Sequence, residues 1–183
     1  IKRNNQHLFW APNNEFSDGR SFDPLYQDVT ITSLHGDATW NLGKTTALRG
    51  RVAQHNYHFR DSLTNDQAAW FLPQFELESS ITHTIKTKLR LKANILIQTG
   101  RAGLSAIGDN FLAPIAIQET DQIVGYVDDL DNITLLDLQA EYLYNARLSG
   151  WLKINNVLNQ ANPFFTGYDN QSLRFQMGAS YSF

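Results

Sequence analysis

Two acidic side chains lie close enough together in the sequence to suggest a carboxylate pair. Glu76 and Glu78 are two residues apart in a segment, 71–84, in which apolar and polar residues alternate. Residues two apart on a strand point to the same face, as the paired carboxyl groups of a glycosidase require. The next alternating segment carries Arg90 and Lys92 on its polar face. Because opposite charges attract across neighbouring strands, we expect an ion network between these four residues, not a catalytic pair.

Metal binding is not predicted. His55 and His58 are three residues apart, which on a strand places them on opposite faces and prevents joint ligation. The only other candidates are the acidic residues of the segment 119–132, of which Asp128, Asp129 and Asp131 come closest together. Oxygen-rich loops can bind Ca²⁺, but this spacing matches no EF-hand. A solvated acidic loop is the better interpretation, and we predict no cofactor.

The sequence does not indicate an enzyme. It contains no cysteine, which excludes a thiol nucleophile and disulfide bonds, and no G-x-S-x-G nucleophile elbow. A serine, a histidine and an acidic residue brought together from neighbouring strands remain an alternative. The net charge is −3, with lysine and arginine scattered along the chain. We therefore expect no nucleic-acid partner, because such a partner requires a basic stripe.

Alternation of apolar and polar residues runs through almost the whole chain and predicts an all-β fold. The 183 residues suit one domain. About eight strands are predicted. In the segment 28–42 the apolar positions change from odd numbers (Val29, Ile31) to even numbers (Leu34, Trp40), and we interpret this change as a β-bulge near Ser33. The clearest strands are the segments 71–84, 88–98, 136–144, 148–155 and 172–183.

Short and long connections alternate strictly between these strands. The short ones are NLGKTT, TIKTK and YNARLS, and the longest is the link from about residue 100 to 132. Within this link FLAPIAI and QIVGYV alternate well enough to predict a hairpin. Short turns on one side and long loops on the other are typical of an outer-membrane barrel, with the turns in the periplasm. Aromatic residues gather near the strand ends, as in the two girdles at the membrane surfaces. A soluble barrel or sandwich would also alternate and stays an alternative.

The last strand ends in a recognisable pattern. In SLRFQMGASYSF the residues at odd-numbered positions are apolar, and those at even-numbered positions are polar or, at Gly178, small. The pattern of Gln176, Gly178, Tyr181 and Phe183 resembles the C-terminal signal of bacterial outer-membrane barrels. That resemblance implies recognition by the barrel-assembly machinery.

The chain from about residue 68 to 183 resembles the last strands of TonB-dependent receptor-like barrels of the Bacteroidetes. The resemblance rests on ITLLDLQAEYLYNARLSGWLKINNVLNQ and on FFTGYDNQSLRFQMGASYSF. It implies a protein of the bacterial outer membrane that takes up a scarce ligand, with membrane lipid, the assembly machinery and TonB as partners. TonB would act through a plug domain that is not visible in this chain.

The fold class expected is an antiparallel transmembrane β-barrel, with residues 1–183 forming the C-terminal part of a larger barrel. Transporters of that kind have about 22 strands, many more than this chain provides. The residues expected to contact a ligand are Phe164, Phe165 and Tyr168 in the loop before the last strand. Two alternatives remain open: a complete eight-stranded barrel with a structural or adhesive role, and a soluble lipocalin-like binder.

Overall fold

The computed structural model describes residues 2–13, 21–59, 69, 71–105, 126–161 and 172–183, and it is all-β over these ranges. No helix in the described part of the chain is long and apolar enough to cross a membrane. The expected all-β class is confirmed. The described residues form ten strands: β1 Lys2–Asn13, β2 Ser21–Leu42, β3 Thr46–Phe59, β4 Phe75–Ile85, β5 Leu89–Thr99, β6 Arg101–Ser105, β7 Tyr126–Leu130, β8 Ile133–Leu143, β9 Leu148–Asn155 and β10 Arg174–Tyr181.

Eight of these strands make one antiparallel sheet in the order β1-β2-β3-β4-β5-β8-β9-β10. Every strand of this sheet therefore pairs with the next one in the chain, except that β6 and β7 form a separate two-stranded hairpin between β5 and β8. The prediction of about eight strands holds for the main sheet. The hairpin lies inside the link for which one was predicted, but it pairs residues 101–105 with 126–130. The predicted strand FLAPIAI lies outside the described residues.

The register keeps one face of the sheet apolar from β2 to β10. Leu34, Trp40 and Leu42 of β2 share this face with Val52 of β3, Ile81 of β4 and Leu91 of β5, as the pairings show. On the last strand the same face carries Phe175 and Met177, whose exposed fractions are 64% and 83%. We call this the apolar face and the opposite one the polar face. A sheet that exposes its apolar side chains over so many strands requires an apolar surrounding or a partner.

Three tight turns lie at one end of the sheet. They join β2 to β3 (43–45), β4 to β5 (86–88) and β8 to β9 (144–147). The turns use left-handed backbone at Gly43, Lys86 and Thr87, with φ of 76°, 48° and 59°. In the β8–β9 turn the side-chain oxygen of Asn145 accepts hydrogen bonds from the backbone N–H groups of Arg147 and Leu148, which closes the turn locally.

The bulge predicted near Ser33 is wrong. The pairing of β2 with β3 is continuous from Val29–Phe59 to Leu42–Thr46, so no residue is inserted there. The apolar residues of β2 change from odd-numbered to even-numbered positions because the two ends of the strand have different surroundings. Val29 and Ile31 lie on the polar face, where they pack in a small core at the end of the sheet opposite the turns. A register irregularity does occur elsewhere, between Asn4 and His7 of β1.

The predicted ion network also needs correction. Glu76 lies opposite Gln98 and Glu78 opposite Leu96, whereas Arg90 and Lys92 lie opposite Thr84 and Thr82, closer to the turns. Glu76 accepts a hydrogen bond of 2.7 Å from the Nε2 of Gln98. Alternation predicts the correct face of the sheet for these residues, but it does not predict how far apart they lie along the strands.

Candidate functional site

The polar face contains a charged hollow near its centre. Its volume is about 480 Å³, and β2 to β5 and β8 contribute its lining. Arg51 lies directly opposite Asp37, with 3.8 Å between the guanidinium Nε and the carboxylate oxygen. Both side chains are more than half exposed, so they remain able to bind something else. The hollow offers both charge signs to a polar ligand or a polar protein segment; its charged lining residues are Asp37, Arg49, Arg51, Glu78 and Asp137.

Two further ion pairs continue this charged surface towards β9. Arg90 Nη1 lies 3.3 Å from a carboxylate oxygen of Glu141, and Lys153 Nζ lies 3.9 Å from one of Asp137. Arg90 and Glu141 face each other across β5 and β8. All four side chains are partly exposed, so each pair contributes at most about 1 kcal/mol. They keep the polar face hydrated and nearly balanced in charge.

A small core closes the end of the polar face opposite the turns. We call it the outer cluster: buried Val29 and Phe71, with Ile31, Tyr57, Phe59, Ala69, Leu72, Ala102 and Leu130 packed against them. Phe71 has a left-handed backbone, with φ of 63°. This conformation is costly for a bulky residue, and burial of the Phe71 ring in the cluster offsets the cost.

Backbone hydrogen bonds tie the segment that carries Phe71 to three strands. The N–H of Phe71 donates to the carbonyl of Ala102 on β6, and the N–H of Gln74 donates to that of Thr99 on β5. The carbonyl of Gln74 accepts from the N–H of His55 on β3. The hydroxyl of Tyr57 donates to the carbonyl of Pro73 at 3.0 Å. The outer cluster thus holds together the described residues that flank the segments 60–68 and 106–125.

Arg101 is the most completely buried charged side chain in the described part of the chain, with an exposed fraction of 1%. Its Nη2 donates a hydrogen bond of 2.9 Å to the backbone carbonyl of Asp131. Burial lowers the pKa of Arg101, and the carboxylate of Asp131 opposes that shift. This bond joins the start of β6 to the residue that follows β7, and so holds the base of the hairpin. No sequence pattern singled out Arg101.

The NNVLNQ motif, residues 155–160, forms a bend at the end of β9. Asn156 and Asn159 both have a left-handed backbone, with φ of 50° and 48°, a conformation that asparagine tolerates better than most residues. The backbone N–H of Asn156 donates to the carboxylate of Asp137, and that of Leu173 donates to the side-chain oxygen of Asn159. The motif therefore ends one strand and positions the start of the next.

The four residues of the predicted assembly signal lie on or just beyond β10, divided between its faces. Gln176 and Gly178 belong to the polar face and Tyr181 to the apolar face, as their pairings with β9 show. Phe183 lies two residues beyond the end of β10. Gln176 accepts a hydrogen bond of 3.4 Å from Asn155. The rings of Tyr181 and Phe183 meet edge to face, with centroids 5.2 Å apart. Gly178 lies beneath the indole of Trp151.

The remaining predicted site residues are only partly placed. Phe164, Phe165 and Tyr168 lie outside the described residues. Asp128 and Asp129 lie on β7, where they pair with Gly103 and Ala102. Within the described ranges, no group of three or more histidine or acidic residues could hold a metal ion. His55 and His58 fall on opposite faces of β3, and the Nδ1 of His55 is hydrogen-bonded to the hydroxyl of Ser33 at 2.8 Å.

Comparison with known proteins gives a clear result for the fold. No protein-family model and no curated protein matches the chain. The pyoverdine outer membrane receptor FpvA from Pseudomonas aeruginosa PAO1, bound to pyoverdine, aligns with a TM-score of 0.67 at 13% identity, over 99% of this chain and 26% of the receptor. The chain has the fold of part of a receptor β-barrel.

Two further solved structures agree. The ferripyoverdine receptor of the outer membrane of Pseudomonas aeruginosa, bound to ferripyoverdine, aligns with a TM-score of 0.65 at 12% identity, over 96% of this chain and 23% of that one. A chain of the FpvAI–pyocin S2 complex aligns equally well, with a TM-score of 0.65 at 12% identity, over 96% of this chain and 22% of that one. The chain thus spans about a quarter of the length of the receptors that it matches, and the expected barrel class is confirmed.

Proposed function

We propose that this chain is the C-terminal barrel portion of a TonB-dependent receptor-like protein of the bacterial outer membrane, which takes up a scarce ligand. The three tight turns face the periplasm, and the outer cluster lies on the extracellular side. The apolar face contacts lipid, and the polar face lines the lumen. The domain assignment, residues 1–183 as one barrel portion, belongs to this proposal.

The division of the sheet into two faces is the observation that carries the proposal. Lipid cannot hydrogen-bond polar groups, so a strand that crosses a bilayer must present apolar side chains outward and satisfy its backbone through its neighbours. The sheet meets both conditions from β2 to β9, and the similarity to outer-membrane receptors over 96–99% of the chain supports the same orientation.

A portion of a larger barrel is favoured over a complete eight-stranded one. In the described part of the chain, β1 and β10 stand at the two edges of the sheet and do not pair with each other. An unpaired strand edge is not stable within hydrocarbon, so other strands are needed at both edges. A receptor barrel of about 22 strands provides them.

The ligand class follows from the resemblance and remains part of the proposal: a siderophore-bound metal, a glycan or a peptide. We assign ligand contacts to Phe164, Phe165, Tyr168 and the link 100–132. Gln176, Gly178, Tyr181 and Phe183 form the assembly signal. TonB acts through a plug domain, and the Bacteroidetes type of receptor is the one that the sequence resembles.

Cysteine labelling tests the orientation, because the chain has no cysteine of its own. Thr87 lies in the β4–β5 turn, and Asn132 precedes β8 at the opposite end. A membrane-impermeant maleimide should label Asn132→Cys on intact cells, and Thr87→Cys only after the outer membrane is permeabilised. Labelling of Thr87→Cys on intact cells would contradict the proposal.

Uptake assays test the transport role. Cells that carry the full protein should accumulate the labelled ligand, and cells in which TonB is deleted should bind it at the surface without accumulating it. A protein with a structural or adhesive role would give the same accumulation with and without TonB.

A further inference from the structure

The three tight turns of the sheet carry a concentration of positive charge. Of the ten residues in 43–45, 86–88 and 144–147, four are basic and none is acidic. The whole chain, in contrast, contains 15 basic and 18 acidic residues. The four basic side chains belong to exposed residues: Lys44, Lys86, Lys88 and Arg147.

Backbone hydrogen bonds join these turns into one continuous rim. The N–H of Thr84 donates to the carbonyl of Thr45, which ties the β4–β5 turn to the β2–β3 turn. The N–H of Leu143 donates to the carbonyl of Lys88, which ties it to the β8–β9 turn. Strands in a sheet are about 4.8 Å apart, so the turns of neighbouring hairpins are about 10 Å apart. This distance is close to the Debye length at 0.1 M salt, so charges on neighbouring turns still influence one another. We call them the basic rim.

Beside the rim, the apolar face is indented. A groove of about 360 Å³ runs across β4, β5, β8 and β9. Two alanines produce it: Ala93 lies between Ile81 and Leu138, and Ala140 lies between Leu91 and Leu152. The small side chains leave space between the four large ones. The groove begins at His83, three residues before Lys86, where the ring nitrogen Nδ1 is hydrogen-bonded to the hydroxyl of Thr46 at 2.7 Å.

We propose that the basic rim and the groove together bind an anionic phospholipid of the periplasmic leaflet. The phosphate contacts Lys86 and Lys88, with Lys44 and Arg147 adding to the field, and one acyl chain lies in the groove over Ala93 and Ala140. Charge complementarity selects the anionic headgroup, and the continuity of rim and groove selects a lipid over a free phosphate. The proposal rests on the membrane orientation given under Proposed function.

Lipid retention tests the site directly. The full protein, purified in a neutral detergent, is mixed with equal amounts of phosphatidylglycerol and phosphatidylcholine that have identical acyl chains, and the lipid that co-purifies is measured by mass spectrometry. The wild type should prefer phosphatidylglycerol. In the variant Lys86→Gln/Lys88→Gln, the ratio of retained phosphatidylglycerol to phosphatidylcholine should fall roughly fivefold for each lysine replaced, at low ionic strength. Lys86→Arg/Lys88→Arg should keep the wild-type ratio.

Matched variants separate the rim from the groove. Ala93→Leu/Ala140→Leu should reduce retention of both lipids, because it fills the groove. Arg174→Gln removes one positive charge at the end of the sheet opposite the rim, and Ala179→Leu enlarges an alanine on the apolar face outside the groove. Both should retain lipid like the wild type. Equal retention of the two lipids by the wild type, or a loss of preference in Arg174→Gln equal to that in the single variant Lys86→Gln, would overturn the proposal.

Labelling of Thr87→Cys distinguishes failure of this inference from failure of the proposed function. If Thr87→Cys is labelled only after permeabilisation and no lipid preference is found, the lipid site is wrong and the orientation stands. If Thr87→Cys is labelled on intact cells, the orientation is wrong and the lipid site fails with it. Displacement of phosphatidylglycerol by millimolar inorganic phosphate would also contradict the role given to the groove.

Discussion

Trp151 covers Gly178 so closely that a side chain at position 178 has no space. A Cβ atom built on Gly178 would lie 2.6 Å from Cζ2 of the indole and 2.8 Å from Cε2. The two residues are direct partners across β9 and β10. The glycine in the terminal motif therefore has a packing role, whether or not the assembly machinery recognises it.

Gly178→Ala should destabilise the folded barrel by about 1–3 kcal/mol, because the large indole must shift to make room. The measurement is unfolding in urea, followed by the heat-dependent mobility of the protein in gel electrophoresis. Gly36→Ala is the matched control, since its Cβ would meet only Val52 at 4.0 Å, and it should be close to neutral.

A double-mutant cycle with Trp151→Ala separates packing from recognition. If packing explains Gly178, the alanine at position 178 should cost much less in the Trp151→Ala background. An assembly defect that persists unchanged in that background would instead support the signal role.

Deletion of Phe183 should impair insertion into the outer membrane. Its ring packs edge to face on Tyr181, at the periplasmic end of the apolar face in the proposed orientation. The measurement is the surface level of the protein in cells. Phe175→Ala removes an exposed aromatic side chain from the same strand and face, and it should have a smaller effect. Unchanged surface levels after the deletion would count against the assembly signal.

Arg101→Ala should loosen the β6–β7 hairpin. The substitution removes the donor to the carbonyl of Asp131 and leaves a space inside the protein, at a cost of roughly 2 kcal/mol. Limited proteolysis on intact cells should cleave the segment 106–125 faster than in the wild type. Arg49→Ala, which changes an exposed arginine of the polar face, should leave the cleavage rate unchanged.

Asn159 is expected to stabilise the fold in two independent ways, through its side-chain oxygen and through its left-handed backbone. Asn159→Gly keeps the left-handed backbone but removes the acceptor for the N–H of Leu173, and should cost about 1 kcal/mol. Asn159→Ala loses both features, and should cost about 1 kcal/mol more. Equal unfolding free energies for the two variants would show that the left-handed conformation contributes nothing.

The pair Arg90–Glu141 should contribute little to stability. The two side chains are exposed by 53% and 24%, so a double-mutant cycle with Arg90→Gln and Glu141→Gln should give a coupling below about 1 kcal/mol, smaller still in high salt. A coupling of several kcal/mol that resists salt would show that the polar face excludes water at this point.

Strands with strict alternation could be predicted well from the sequence. The segments 88–98 and 148–155 match β5 and β9 closely, because period two is a direct consequence of one face packing in an apolar environment. The change from odd to even apolar positions between Val29 and Leu34 predicts a bulge wrongly for the same reason. Alternation shows which face of a strand is apolar at a given height in the sheet. In the outer cluster the polar face carries apolar residues, although the register of the strands does not change.

The interactions that fix the ends of the sheet could not be predicted. Arg101 binds a backbone carbonyl 30 residues away, and Trp151 meets Gly178 only after β9 and β10 pair. Glu76 and Glu78 were assigned the wrong partners because strand register depends on turn geometry, which single residues do not reveal. The motif NNVLNQ belongs to the family resemblance, and the left-handed backbone at Asn156 and Asn159 gives a physical reason for two of its asparagines.

The length of β2 determines how far the sheet extends beyond an apolar band. Its 22 residues extend roughly 70 Å along the strand, or about 50 Å along the membrane normal at a tilt near 45°, whereas the apolar band of such barrels is only about 25 Å tall. In the proposed orientation, roughly half of β2 therefore extends beyond the apolar band. Residues 21–27 lie beyond the last pair that β2 makes with β3 and are paired with β1 alone, so this projection depends on the pairing of those two strands.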